Sequence, residues 1–237
     1  AASDVYKRQA FNNATRPQGK HYDYEVDSEV YALFGGIEDF YVGNDLLIYG
    51  DLRAESIKYD YNNRMNSGNL KEDGTNCGFG GCYYNRPDDR SDTYNELSAR
   101  AGLTTDFDNV NYFLQASLGF RPPQINEAYR LQKKQSVSDL DSEKLTMIEI
   151  GSTFNLENLD GSISIYKSKK RNSIFRDSEN FIIDNGKTNH KGIELTVNAG
   201  ISERSNLVTN LTYGDHKYDF NSDTSMREKI RIGNDID

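Results

Sequence analysis

Apolar and polar residues alternate with period two over most of this chain, and helical spacing is rare. In 110–121, Tyr112, Leu114, Ala116, Leu118 and Phe120 fall on one face. Asn111, Gln115, Ser117, Gly119 and Arg121 share the other, with Phe113 out of phase. In 191–202, Ile193, Leu195, Val197, Ala199 and Ile201 oppose Gly192, Glu194, Thr196, Asn198 and Gly200. The pattern sets Leu97, Ala99, Ala101 and Leu103 against Ser98, Arg100, Gly102 and Thr104 in 96–105. In 145–156 it sets Ile148, Ile150, Phe154 and Leu156 against Glu149, Gly151, Thr153 and Asn155. It is weaker in 205–220, where Leu207, Leu211 and Tyr213 make the apolar face, and less regular in 24–40, 44–61 and 161–176. The runs predict about eight antiparallel strands. The best helical signal, Gln124–Gln132, predicts about two turns inside a loop.

Alternation alone does not choose between architectures. A soluble sandwich buries the apolar face between two sheets, whereas a transmembrane barrel turns it toward lipid and keeps the polar face wet. Strand length favours the barrel. A strand of about 12 residues rises ~40 Å and, tilted by ~45°, spans ~29 Å, close to a bilayer core. Connection length favours it too. Short turns at Gly43–Asn44, Asp108–Asn109, Asn158–Leu159–Asp160 and Arg204–Ser205 alternate with long polar loops at 63–92, 122–143 and 177–189. Asn, Asp and Gly permit the tight reversals, and long loops on one side with short turns on the other are a barrel's habit. Tyr59, Tyr61, Tyr112, Phe120, Tyr213 and Tyr218 lie near strand ends and suit interfacial girdles; ordinary strand propensity is the plainer account.

Composition sharpens this picture. Only 35% of the 237 residues are hydrophobic and the mean hydropathy is −0.80. No apolar run approaches the ~18–20 residues of a spanning helix, but a barrel exposes only alternate residues to lipid and can average polar. The formal charge of −9 argues against nucleic acid as a partner. Residues 1–9, Ala1–Ala2–Ser3–Asp4–Val5–Tyr6–Lys7–Arg8–Gln9, read as non-native end sequence, and residues 10–237 as one piece of a longer barrel, since Ile230–Asp237 breaks off in mid-pattern.

Four motifs give the reading a family. Gly119–Phe120–Arg121–Pro122–Pro123–Gln124–Ile125–Asn126–Glu127–Ala128–Tyr129 resembles the G-F-R-A-P-x-x-x-E-L-Y signature of TonB-dependent outer-membrane receptors. Asp139–Leu140–Asp141–Ser142–Glu143–Lys144–Leu145, followed by Ile148–Glu149–Ile150–Gly151, is similar to that family's N-L-x-P-E-x…Y-E-L-G. Asn185–Gly186–Lys187–Thr188–Asn189–His190–Lys191–Gly192–Ile193–Glu194–Leu195 is similar to N-x-G-x-x-x-x-G-V-E. Leu52–Arg53–Ala54–Glu55, with Tyr59–Asp60–Tyr61 after it, resembles G-L-R-Y-E…Y. Each motif is weak alone; four in order, at the expected strand positions, are specific. Pro123, Asn126 and Ser142 depart from the commonest pattern, and Trp is absent.

The resemblance covers residues 20–237. It implies an all-β antiparallel transmembrane barrel, present as an open fragment of a barrel of about 22 strands. It also implies a bacterial outer-membrane location in contact with lipid. A small-molecule ligand such as a ferric siderophore would land on the outer loops and on a plug upstream of this segment, and the TonB energy-transducing complex would pull on that plug. No bond is made or broken in such transport and no cofactor is implied. A soluble all-β carbohydrate-binding or adhesion domain is the rival reading.

The residues agree that catalysis is not the task. His21, His190 and His216 show no metal-binding spacing and are expected to be solvated, and no nucleophile motif or phosphate loop occurs. Cys77 and Cys82 enclose Gly78–Phe79–Gly80–Gly81, and the three glycines make a small disulfide ring feasible. Free thiols are the alternative; a metal site would need two further ligands that are not evident nearby. Arg53, Glu55, Arg100, Glu149 and Glu194 lie on the polar strand faces, so a wet lumen suits them and lipid does not. Asp88–Asp89–Arg90–Ser91–Asp92 lacks a calcium-loop pattern and reads as a solvated loop. Tyr83, Tyr84, Arg86, Arg121, Tyr129 and Arg130 lie in or beside the long loops and are the candidate contacts for an anionic, aromatic ligand.

Overall fold

A computed structural model describes residues 16–43, 45–78, 80–133, 135, 139–176, 182–223 and 229–236. The expectation for residues 1–9 lies outside the described residues. The elements are β1 (Tyr24–Val42), β2 (Leu46–Asn63), β3 (Tyr84–Asn85), β4 (Arg90–Phe107), β5 (Val110–Arg121), α1 (Ile125–Tyr129), β6 (Leu131–Gln132), β7 (Glu143–Leu156), β8 (Leu159–Arg176), β9 (Ile182–Ser202), β10 (Ser205–Tyr218), β11 (Ser222–Asp223) and β12 (Lys229–Ile230). Eight of these make one antiparallel sheet in the order β1-β2-β4-β5-β7-β8-β9-β10, with β1 and β10 as open edges among the described residues. The small pairs β3–β6 and β11–β12 stand apart from it.

Register explains the alternation. Directly opposed residues share a face, so a continuous ladder carries one face across every strand. Phe40 opposes Ile48, which opposes Leu103, then Leu114, Ile150, Ile165, Ile193 and Tyr213, an apolar row unbroken over all eight strands. On the short-turn side the next row runs Val42, Leu46, Thr105, Tyr112, Ser152, Ile163, Leu195 and Leu211. The row from Phe40 to Tyr213 is exposed throughout: Ile150 is 56% and Ile165 52% accessible. No second sheet of comparable size covers the row among the described residues, which removes the sandwich. Such an apolar surface suits lipid, not water.

The other face is polar, with aromatic exceptions that repeat. Tyr49 of β2 lies across Gly102 of β4, Phe113 of β5 across Gly151 of β7, and Tyr166 of β8 across Gly192 of β9. A Cβ on Gly151 would meet Phe113 Cζ at 2.6 Å, and one on Gly192 would meet the Tyr166 hydroxyl at 2.6 Å. Phe113 is out of phase because its ring fills this hollow.

Tight turns join β4 to β5, β7 to β8 and β9 to β10, and Asp108 takes a φ of 52° in the first. Two turns fall slightly earlier than the sequence implies, at Glu157–Asn158 and Glu203–Arg204, because Leu159 and Ser205 still pair with Leu156 and Ser202. The expected loop at 177–189 is mostly strand. β8 climbs to Arg176 and β9 begins at Ile182, and the Asn–Gly that reads as a turn is a bulge, with Asn185 at φ 57°. The helix is a single short piece, and Leu131–Gln132 leaves it to pair with Tyr84–Asn85. Of the proposed girdle, Tyr112, Phe120 and Tyr213 share the apolar face, whereas Tyr59, Tyr61 and Tyr218 stand on the polar one.

The row makes a quantitative demand on the centre of the sheet. Ile150→Arg should lower folding stability in lipid vesicles by about 2–4 kcal/mol, read by denaturant titration. Thr153→Arg, on the polar face of the same strand, should cost a small fraction of that.

Candidate functional site

The buried side chains gather at the long-loop end, where the connections fold onto the polar face. Arg121 ends β5 and is held from two directions. Its Nε donates to Glu143 Oε2 at 2.5 Å, and its Nη1 and Nη2 donate to Glu127 at 3.0 and 3.2 Å. Glu127 also accepts from the Gln124 amide at 2.7 Å, starting α1. Glu143 accepts from the Ile174 amide at 2.8 Å and pairs with Lys170 at 2.9 Å. Burial works against ionisation of Glu143, but the Arg121, Ile174 and Lys170 donors outweigh it and hold the carboxyl below its usual range.

This latch delivers Tyr129 to the sheet. Its ring stacks on Tyr61 with centroids 4.5 Å apart, and its hydroxyl donates to Asp92 Oδ2 at 2.7 Å. Asp92 also takes Arg90, and Asp89 accepts from the Asn63 amide at 2.7 Å. Two aspartates of the acidic segment are therefore spent on the fold.

The 64–89 connection is organised by Arg86, which is 2% exposed. Its Nε donates to Asn66 O at 2.6 Å, its Nη1 to His21 O at 3.0 Å and its Nη2 to Leu70 O at 2.8 Å. A buried guanidinium is tolerable here because two chain segments supply three carbonyls. Asn69 accepts from the Cys82 amide at 2.6 Å and donates to the carbonyls of Cys82 and Tyr84. Cys77 and Cys82 form a disulfide with Cα atoms 5.0 Å apart, packed against Tyr84.

Between these anchors lies a cavity of about 400 Å³ lined by Arg16, His21, Tyr22, Tyr83, Tyr84, Asn126, Arg130, Gln132 and Arg176. No carboxylate is among the lining residues, a local reversal in a chain of net charge −9. Arg16 stacks over Tyr83 at 4.4 Å and Arg130 over Tyr22 at 5.3 Å, while Arg176 Nη2 donates to Asn126 O at 2.8 Å. His21 stacks on Tyr84 at 4.4 Å. Burial pushes the Tyr22 phenol up to about 12, against the pull of Arg130 and Arg176, so it stays protonated and donates to Leu131 O at 2.8 Å.

The six sequence candidates thus separate. Tyr83, Tyr84 and Arg130 line the cavity, Arg121 latches α1, and Arg86 and Tyr129 are interior anchors. Asn126, from the Gly119–Tyr129 motif, joins the cavity, as do Arg16, Tyr22, Gln132 and Arg176, which no local motif announces; partners 50 or 109 residues apart bring Arg176 and Tyr22 in. His21 is packed instead of solvated. Arg53, Glu55, Arg100, Glu149 and Glu194 all stand on the face opposite the apolar row. Arg100 pairs with Asp51 at 2.8 Å, Arg53 with Glu55 at 2.5 Å, and Glu149 accepts from Gln115 at 2.7 Å. On that face His190 and His216 share a hydrogen bond between Nδ1 atoms at 2.8 Å. Among the described residues no group of three or more His, Cys, Asp or Glu side chains is arranged to hold a metal.

The sequence model for "TonB dependent receptor-like, beta-barrel" matches residues 2–237. No curated protein matches. Among solved structures, the chain is similar to the ferric-catecholate import receptor Fiu from K12 E. coli in its closed form, at 16% identity and TM-score 0.63, over 84% of this chain and 29% of that one. It is similar to the copper transporter OprC at 16% identity and TM-score 0.66, over 82% and 29%. It is also similar to the alcaligin outer-membrane receptor FauA from Bordetella pertussis at 16% identity and TM-score 0.53, over 83% and 31%. The chain therefore spans less than a third of each of these structures, and at such identity they establish the fold alone.

Arg86→Met should cost about 3 kcal/mol by stranding buried carbonyls, and amide exchange should quicken at Gly68 and Lys71. The latch gives a pH dependence. Because the folded Glu143 titrates below its unfolded value, its contribution is complete above the ordinary Glu range and is lost as pH falls below about 4. Exchange protection at Ala128 should drop in that window, and Glu143→Gln should flatten the dependence.

Proposed function

The chain belongs to the TonB-dependent receptor β-barrel family, receptors and transporters of the bacterial outer membrane and not enzymes, and from that membership we propose that it serves import of a scarce anionic metal chelate, with a ferric siderophore as the leading cargo. The supporting observation is the cavity at the long-loop end, with three guanidinium groups, three tyrosines and no carboxylate in its lining. Guanidinium forks fit chelating oxygens that carry negative charge. Tyrosine rings offer faces to catechol-like rings and to the same guanidiniums. A porin-sized pore would not concentrate a dilute ligand; a binding cavity at the outer mouth does.

The polar strand face supports passage beyond that cavity. Arg100 with Asp51 and Arg53 with Glu55 pair within it, so the wall is wet but not strongly of one sign. In this reading the TonB complex supplies the energy through a plug domain outside this chain. Of the similar structures, one is described as a ferric-catecholate import receptor and another as a copper transporter.

Arg130→Ala combined with Arg176→Ala should weaken binding of a ferric tris-catecholate to the purified receptor by more than tenfold, measured by titration calorimetry. Binding of a neutral cobalamin that equals the chelate in the wild type, or chelate binding untouched by the two substitutions, would overturn the proposal.

A further inference from the structure

The apolar row does not continue unchanged toward the long loops. One step higher on the same face the residues are Ile37, Gly50, Ala101, Ala116 and Ile148, and then Lys167, Lys191 and Asp215 on β8, β9 and β10. A step above that, Thr146, Lys169, Asn189 and Lys217 are in register, and Arg171 follows opposite Lys144. Lys167, Lys169, Arg171 and Lys191 are exposed. Asp215 is the lone acid in this group and is taken by Lys191 at 3.1 Å and Lys217 at 3.5 Å. Among the described residues no ion pair reaches Lys167, Lys169 or Arg171.

Lys167 and Lys191 are directly opposed, and like charges so placed destabilise a sheet unless an anion sits between them. The patch is local. In the rows of Lys167 and Lys169, β1 and β2 carry Ile37 and Gly50, then Gly35 and Leu52, with no charge among them.

We infer that the outward face of β8–β10, just above the apolar row, is a docking surface for the phosphate-bearing headgroup of a membrane lipid on the long-loop side. The occupant follows from the position. Ile165 and Ile193 lie one pleat below Lys167 and Lys191, so acyl chains covering the row bring their headgroups level with the ammonium groups. Lysine stems lie along the apolar surface and present their charge at that height, and clustered cations select anionic headgroups. A soluble anion would gain the charge contacts without the apolar row beneath. The inference rests on the membrane-facing reading of that row and not on the identity of the cargo.

The test uses the full-length receptor that carries this chain, in detergent micelles, with fluorescent phosphatidic acid and matched phosphatidylcholine as probes. The wild type should bind phosphatidic acid more than tenfold tighter, and the preference should fade as salt rises. The triple variant K167Q/K169Q/K191Q should lose the preference while binding phosphatidylcholine as before, and K58Q should keep it. A heat-sensitive shift in gel migration reports folding of each variant. Equal affinity of the wild type for the two lipids, a preference indifferent to salt, or displacement of phosphatidic acid by equimolar inorganic phosphate would each overturn the inference. If the triple variant fails to fold, the wild-type ratio and its salt dependence decide alone. Loss of phosphatidylcholine binding by the wild type would instead defeat the membrane-facing reading beneath it.

Discussion

The antiparallel ladder is the constraint on which everything else rests. Its hydrogen bonds fix which residues stand opposite one another, and opposition fixes face. Slipping one strand by a single residue would move a strand's isoleucines to the wet side and its glutamates to lipid. The penalty on both sides at once is what selects the row from Phe40 to Tyr213. It also explains a chain so polar on average. The lipid-facing positions are only alternate residues, and the loop-end segments and polar face supply the rest.

At the loop end the governing force changes. Two small clusters, around Tyr61 with Tyr129 and around Tyr84 with the disulfide, are buried there, and charge-assisted hydrogen bonds to carbonyls and carboxylates tie the connections around them. Arg86 gathers three carbonyls from two segments, and Arg121 ties the end of β5 to α1 and to β7. Such groups are costly to bury and are tolerated because each is satisfied. Three further arginines, Arg16, Arg130 and Arg176, stand at the lining of the cavity itself.

The strands are legible because period two records which face each residue takes, and Gly43, Asp108–Asn109 and Gly119–Phe120–Arg121 mark their ends in local residues. The top of β9 was not legible, since Asn185–Gly186 carries the same signal for a bulge as for a turn and only the pairing with Ser173 and Phe175 distinguishes them. Half of the ligand candidates pointed to the cavity because loop tyrosines and arginines are enriched there. Arg86 and Tyr129 did not, because nothing local separates an arginine that solvates a ligand from one that solvates carbonyls. Arg176 was invisible for the opposite reason: it looks like a strand-end residue, and its role arises from a contact with the α1 segment 50 positions earlier.

On the polar face three tyrosine or phenylalanine rings seat on glycines across strand pairs that no tight turn joins. Tyr49 on β2, Phe113 on β5 and Tyr166 on β8 each leave the second strand of a hairpin and seat on the first strand of the next, at Gly102, Gly151 and Gly192. Turns reinforce the ladder's alignment within a hairpin, and these ring–glycine seats reinforce it between hairpins. The two inner hairpins, β4–β5 and β7–β8, are thereby tiles with a tongue on one edge and a groove on the other. A wall laid from such tiles can change its circumference by whole units, without rewriting the joints that remain.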